Sequence, residues 1–289
     1  MNNLLGRVID TKMTDENENY YFLQNGGVVF QLDKKEPVKP LHIGGHFQGF
    51  AYENEDHKLQ ITANLPKIQV GRMGFGTVVQ SRRDLGVFVN IGLPNKDMVV
   101  SLDELPTIKS LWPQKGDQLM ISLRIDHKNR MWGTLADEAT FQEISQKAPQ
   151  TLKNKNLKAT VYRLKLVGTL VITKDYYLGF IHPNERDQEP RLGEEVSARV
   201  IGIHPDGTLN LSLKPRSYEA IGDDAAMLLA MLQHDETHAL PFTDKSSPTA
   251  IKAEFGISKG QFKRAVGHLL KAGVVKQEDG QLKLKEEAQ

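Results

Sequence analysis

The sequence predicts a mostly β chain with an α+β C-terminal part: three tandem five-stranded barrels followed by a winged helix-turn-helix. Three observations carry this. A unit of about 70 residues recurs three times: two strands, a third strand, a break, and two more strands, the break closing on a Gly–acid turn in the second and third units. Within the units apolar residues alternate with a period of two, and from Ser217 on the period changes to 3.6. The 289 residues therefore divide into 1–66, 67–140, 145–216 and 217–289.

In the first unit LLGRVID, YYFLQ, GGVVFQL, HFQGFAYE and HKLQIT are separated by clusters of Asn, Asp, Glu, Gly and Pro. Five such short strands suit a small closed barrel. The second unit repeats the rhythm in GFGTVVQS, LGVFVNIG and DMVVSL, then a connection ending in KGD, then QLMISLRID and NRMWGTL. The third has ATVYRLKL, GTLVIT and YYLGFIHP, then a break in which LGEE takes the place of KGDQ, then VSARVIGI and GTLNLSLK. The last quarter opens with the helical DDAAMLLAMLQHD and a Ser-Pro helix start in SPTAIKAEFGI. In ISKGQFKRAVGHLLKAG, Phe262, Val266, Leu269 and Leu270 form one apolar face, Ser258 is an N-cap and Gly273 lies just past the end. VVKQ, EDG and QLKLK then spell a hairpin, the wing.

Composition excludes several classes of function. With 39% hydrophobic and 25% charged residues the chain is that of a soluble globular protein. The absence of cysteine removes disulfides, Cys-ligated zinc, iron–sulfur clusters and thiol nucleophiles. No secretory signal is visible, and the apolar run Met227 to Leu232 is far too short to span a bilayer, so a cytoplasmic protein with no membrane partner is expected. His42 and His46 in HIGGH, and His234 and His238 in HDETH, lack the helix, the adjacent Glu or the third ligand that a metal needs. Gly71, Gly74 and Gly76 have the wrong spacing for a dinucleotide loop. No cofactor, metal or catalytic residue is expected, and the chain is not read as an enzyme.

Net charge is +1, but it is unevenly spread. Residues 1–66 hold 6 Lys and Arg against 9 Asp and Glu, residues 151–218 hold 11 against 7, and residues 219–289 hold 9 against 11. A polyanion should prefer the third unit. There LGFIHPNE puts Phe180 and His182 on one face of a strand and Ile181 on the other, with Arg163, Lys165, Arg186, Lys214 and Arg216 around them. Rings accept the face of any base, and cations follow a phosphate backbone.

The third unit resembles the S-one type of OB-fold RNA-binding domain, whose pattern reads G-x-V, GAFV, GLVHISEL, GD-x-V-x-V and LSLK. ATVYRLKLVGTLV, LGFIHPNE, LGEEVSARVIGI and LNLSLK follow it in order. With SLDELP, LWPQKGDQL, VYRLKLVGT, GFIHP, LSLKPRS and FGISKGQFKRAVGHLLKAG, the whole chain resembles the conserved virulence factor B family of bacterial RNA-binding regulators. The resemblance implies three OB-fold barrels, single-stranded RNA as ligand, control of gene expression at the RNA level and no catalysis. It leaves the ribosome and the RNA-processing machinery as candidate further partners. It also implies base-binding positions: Phe88, Asp126 and Arg130 in the second unit, with Leu85 and Ser101 replacing a ring and the His. In the third, His182 is kept and Phe180 and Tyr162 add rings, while Val167, Leu170, His204 and Thr208 replace the expected aromatics, Asp and Arg. Neither set is full, so a composite surface shared by the third barrel and the winged helix is expected, the latter contributing Lys263, Arg264, Lys271 and Lys276. The rival reading is a DNA-binding transcription regulator that places the winged helix in a major groove.

Overall fold

Alternation decides the first strand: in RVIDTKMTDE the side chains of Ile9, Thr11 and Met13 turn inward and Asp10, Lys12 and Thr14 face solvent. This is β1 (Arg7–Glu16), followed by β2 (Tyr20–Asn25), β3 (Val28–Asp33), β4 (His46–Glu53) and β5 (Leu59–Thr62). They close into a barrel in the order β1-β2-β3-β5-β4, antiparallel throughout except where β5 runs parallel beside β3. The structure is a computed structural model, and it describes residues 4–36, 39–214 and 217–285.

The same closure recurs twice. The second barrel is built from β6 (Gly74–Arg82), β7 (Gly86–Asn90), β8 (Met98–Ser101), β9 (Gln118–Ile125) and β10 (Met131–Leu135). After it comes a short helix, α1 (Glu138–Ile144), and then the third barrel. That barrel comprises β11 (Asn156–Lys165), β12 (Gly168–Thr173), β13 (Leu178–Ile181), β14 (Glu195–Ile203) and β15 (Leu209–Ser212). In each barrel the first strand carries a register break against the second: Met13/Asp15, Val78/Gln80 and Val161/Arg163. Such a bulge bends and twists a strand, which lets it pair with a neighbour on both sides and close the sheet.

The three barrels form one compact unit that ends at Lys214. The first two share a continuous apolar core, from Leu23, Phe30 and Phe50 to Val87, Val100 and Ile121. Tyr52 hydroxyl lies 2.8 Å from Asn95 Oδ1 and 3.1 Å from Gln60 Oε1, so a loop of the second barrel lies over strands β4 and β5 of the first. The second and third barrels meet at their equivalent turns. Arg191 donates from Nε and Nη2 to the two oxygens of Asp117, each at 3.2 Å, and Gln118 N–H donates to Gly193 O at 2.8 Å.

Helix α1 is an element that periodicity did not predict. Asp137 caps it by accepting from Thr140 N–H at 2.8 Å. Its Phe141, only 2% exposed, packs with Met120, Ala136 and Ile172 at the junction of the second and third barrels.

The second compact unit is the winged helix: α2 (Ser217–His234), β16 (Ala239–Leu240), α3 (Pro248–Phe255), α4 (Lys259–Lys271), β17 (Val275–Glu278) and β18 (Gln281–Leu284), with sheet order β16-β18-β17. Ser258 and Gln261 form a reciprocal capping box at the start of α4, and Gly273 at φ 74° follows its end. Asp279 and Gly280 both have positive φ, as the two-residue hairpin turn of the wing requires. Phe262, Ala265, Val266 and Leu269 are buried, whereas Leu270, expected on the apolar face, is 41% exposed. The helical stripe is one residue narrower than the sequence pattern drew it. Among the described residues no helix is long and apolar enough to cross a membrane.

Candidate nucleic-acid interface

Pleating sets every second side chain of a strand on the outside of a barrel, and register decides which of them become neighbours. In the third barrel Arg163 lies opposite Leu170, Leu170 opposite Phe180, and Phe180 beside Asn210. These four form an outward row across β11, β12, β13 and β15. The Phe180 ring sits on the backbone of Gly168, where a Cβ would come within 2.5 Å of two ring carbons. Gly168 at φ 150° therefore has no substitute.

One residue past β13, exposed His182 caps a turn of 3-10 helix. Its Nδ1 accepts from Asn184 N–H at 3.1 Å. An Nδ1 that accepts carries no proton, so the N–H of the ring is at Nε2. The ring stands edge-on to Phe180, centroids 6.4 Å apart at 67°. Ser101 occupies the matching place in the second barrel, where its hydroxyl caps the turn after β8 by accepting from Asp103 N–H.

Several expected contacts of the third barrel are taken up inside the protein. Tyr162 stacks on Phe141 of α1, centroids 4.0 Å apart and planes within 22°, and burial, reinforced by the Glu138 carboxylate, pushes its hydroxyl up to about 12. Lys165 Nζ lies 2.7 Å from Glu138 Oε2, and Arg163 Nε 3.8 Å from Oε1 of the same residue. Arg186 is a correction to the sequence reading. Its side chain is 9% exposed, paired with Glu189 at 2.8 Å and donating to Ile181 O, so it buttresses the turn from inside. Lys214 is exposed, with Asp187 at 3.9 Å as a loose partner. Arg216 lies outside the described residues.

The second barrel presents a parallel row: Gln80, Phe88, Val99, Trp132 and Arg124. Phe88 is opposite both Gln80 and Val99. Val99 is level with Trp132 because Val100 pairs with Gly133, and Trp132 is opposite Arg124. Asp126 and Arg130 meet in the turn between β9 and β10. The Asp126 carboxylate accepts from Lys128 N–H, Arg130 N–H, Arg130 Nε and Trp132 Nε1 at 2.7 to 3.2 Å. Its burial opposes ionisation, but these hydrogen bonds outweigh it and hold the carboxyl far below the usual range. Trp132 and Arg124 belong to this face and were missed in the sequence. The signal was MWGTL, whose alternation puts Trp132 outward once Met131 and Gly133 are buried.

On the winged helix, Lys263, Arg264 and Lys271 are exposed on the side of α4 away from the core. Lys276 on β17 is also exposed and pairs with Glu278 at 2.9 Å. The expected cations of this unit thus reach solvent, although Lys276 is partly neutralised.

Comparison with known proteins follows the same division. Residues 5–64 match the S1 domain family, 73–134 the CvfB first S1-like domain, 141–215 the second domain of virulence regulatory factor CvfB, and 226–284 the CvfB-like winged helix domain. The chain is 40% identical over 245 residues to conserved virulence factor B of Staphylococcus aureus (strain N315), covering 84% of this chain and 81% of that protein. It is 40% identical over 260 residues to the uncharacterized protein YitL of Bacillus subtilis (strain 168), covering 90% and 87%. The crystal structure of a multidomain protein with nucleic acid binding domains from Streptococcus pneumoniae superposes with a TM-score of 0.72 at 48% identity, over 99% of this chain and 100% of that one.

Proposed function

The chain belongs to the conserved virulence factor B family, and we propose that it binds single-stranded RNA and regulates gene expression at the RNA level. The observation that carries this is the Phe180–His182 pair, a ring and an imidazole donor facing outward on a barrel of S-one type. Splayed bases can stack on such a ring, and a duplex keeps its bases out of reach. Lys214 gives the third barrel an exposed, loosely paired cation, and α4 presents Lys263, Arg264 and Lys271 on the winged helix, each unit by its own surface. The domains are of nucleic-acid-binding types rather than of enzyme families.

A salt-series gel shift with the full chain tests the proposal. Single-stranded RNA should bind more tightly than duplex DNA of the same length, and Phe180→Ala with His182→Ala should lower the RNA affinity by about tenfold or more. Equal or tighter binding to duplex DNA would favour the winged helix acting as a DNA reader and sink the proposal.

A further inference from the structure

Trp132 is a partly exposed indole between two exposed guanidinium groups. Arg124 lies 5.6 Å from its ring centroid and Arg130 5.4 Å, both inside the range of a cation–π contact. The Nε1–H of the indole is held by Asp126 Oδ2 at 3.2 Å, which fixes the ring plane before any ligand arrives. Arg130 is bound to that carboxylate as well, at 2.7 Å. Arg124 is not comparably held. Its acidic neighbour among the described residues, Glu104, is 3.9 Å away, and the Glu104 oxygens already accept from Thr134 Oγ1 and Leu135 N–H.

Along the row, Val99 separates Trp132 from Phe88. At the spacing of adjacent strands the two rings stand roughly 10 Å apart, too far to stack on each other and open to separate bases. A cleft lined by acids or a closed aromatic box would suit a free small molecule. Rings at intervals on an open convex sheet, bordered by exposed guanidinium groups, suit a chain of bases joined by phosphates.

We infer that Trp132, with Arg124 and Arg130, is a base-stacking subsite on the second barrel for single-stranded RNA. This rests on the RNA reading above but adds a surface separate from the Phe180–His182 pair. The incoming base takes a face of the indole, Arg124 swings from the ring to the adjoining phosphate, and Phe88 receives a further base on the far side of Val99.

The chain has two tryptophans, and the other, Trp112, is buried with its Nε1–H donating to Pro106 O. Intrinsic fluorescence therefore reports this subsite directly. Oligoadenylate and oligouridylate are titrated into the full chain, with binding followed independently by the anisotropy of a labelled oligonucleotide. The expected result is a saturable change in tryptophan emission that Trp112→Phe keeps and Trp132→Phe abolishes. Trp132→Ala and Arg124→Ala should each weaken binding by about tenfold and a few fold respectively. Arg124 is a surface residue, so its variant tests the subsite even if Trp132→Ala unfolds the barrel. Anisotropy showing undiminished affinity in Arg124→Ala and Trp132→Phe, with no emission change in the wild type, would overturn the subsite while leaving RNA binding intact. No anisotropy change in the wild type would overturn the RNA reading, and the subsite with it.

Discussion

The second and third barrels share one strand order, one bulge and one turn at the end of the third strand, yet their outward rows are complementary. In the second, Phe88 and Trp132 flank an aliphatic Val99; in the third, Phe180 holds the middle place, with Leu170 and Asn210 beside it. The contact from turn to last strand survives the change of residues: Asp126 accepts from Trp132, and His204 Nε2 lies 3.1 Å from Asn210 Oδ1. The larger difference is α1. It lays a ring on Tyr162 and a carboxylate against Lys165 and Arg163. A ring on a ring and an anion on cations is what a nucleotide would supply. The helix thus occupies part of the third barrel's surface itself, and the most basic stretch of the sequence is not the most available one.

If α1 is structural glue, breaking it should produce the largest effect. Phe141→Ala removes a fully packed ring between the second and third barrels and should cost about 3–5 kcal/mol in urea unfolding. A loss below about 1 kcal/mol would mean that the third barrel stands without the helix. The rows themselves come next. Phe180→Ala and Phe88→Ala should each lower RNA affinity by about tenfold, from the 1–3 kcal/mol that one base–ring stack contributes. An effect at only one of them would show that one barrel does the binding. Smaller again is Glu138→Gln, which frees Lys165 and Arg163. It should raise RNA affinity a few fold and steepen the salt dependence by about 0.7 log units for each phosphate newly contacted. An unchanged salt slope would mean that α1 shields nothing RNA can use.

Most of the architecture was legible because local signals agree with it. Five alternating segments recur in each barrel, a Gly–acid turn precedes the fourth strand of the second and third, and Ser258, Gly273 and the Asp279–Gly280 turn frame the last helix and the wing. Helix α1 escaped because seven residues make barely two turns, too few for an apolar stripe to declare itself. Arg186 looked like a phosphate ligand because charge is visible in a sequence and pairing is not; Glu189, three residues on, consumes it. Trp132 escaped for a deeper reason. Its neighbours on the face come from β7, β8 and β9, and the link to Val99 runs through a parallel pairing of strands some thirty residues apart. No local pattern encodes that.

The smallest effect concerns pH and separates the two barrels by one residue. Desolvation opposes the ionisation of Asp126, yet hydrogen bonds from Arg130, Trp132 and Lys128 more than offset it and hold its pKa well below that of an unfolded Asp, near 3.9. A group depressed in the folded state contributes stability above its unfolded value and loses it as pH falls toward its folded one. The turn between β9 and β10 should therefore be indifferent to pH near neutrality and begin to loosen only below about pH 4. The third barrel has His204 at this position, and the carboxylate of its turn, Asp206, accepts from Thr208 rather than from a ring on the last strand. Trp132 emission in a Trp112→Phe background reads it directly. The emission should shift in acid, and Asp126→Asn should remove the acid step while displacing the emission already at neutral pH, because an amide cannot accept all four bonds with the strength of a carboxylate. An acid step that persists in Asp126→Asn would mean that the indole is positioned by the barrel wall, and that the turn residues of the two barrels are interchangeable after all.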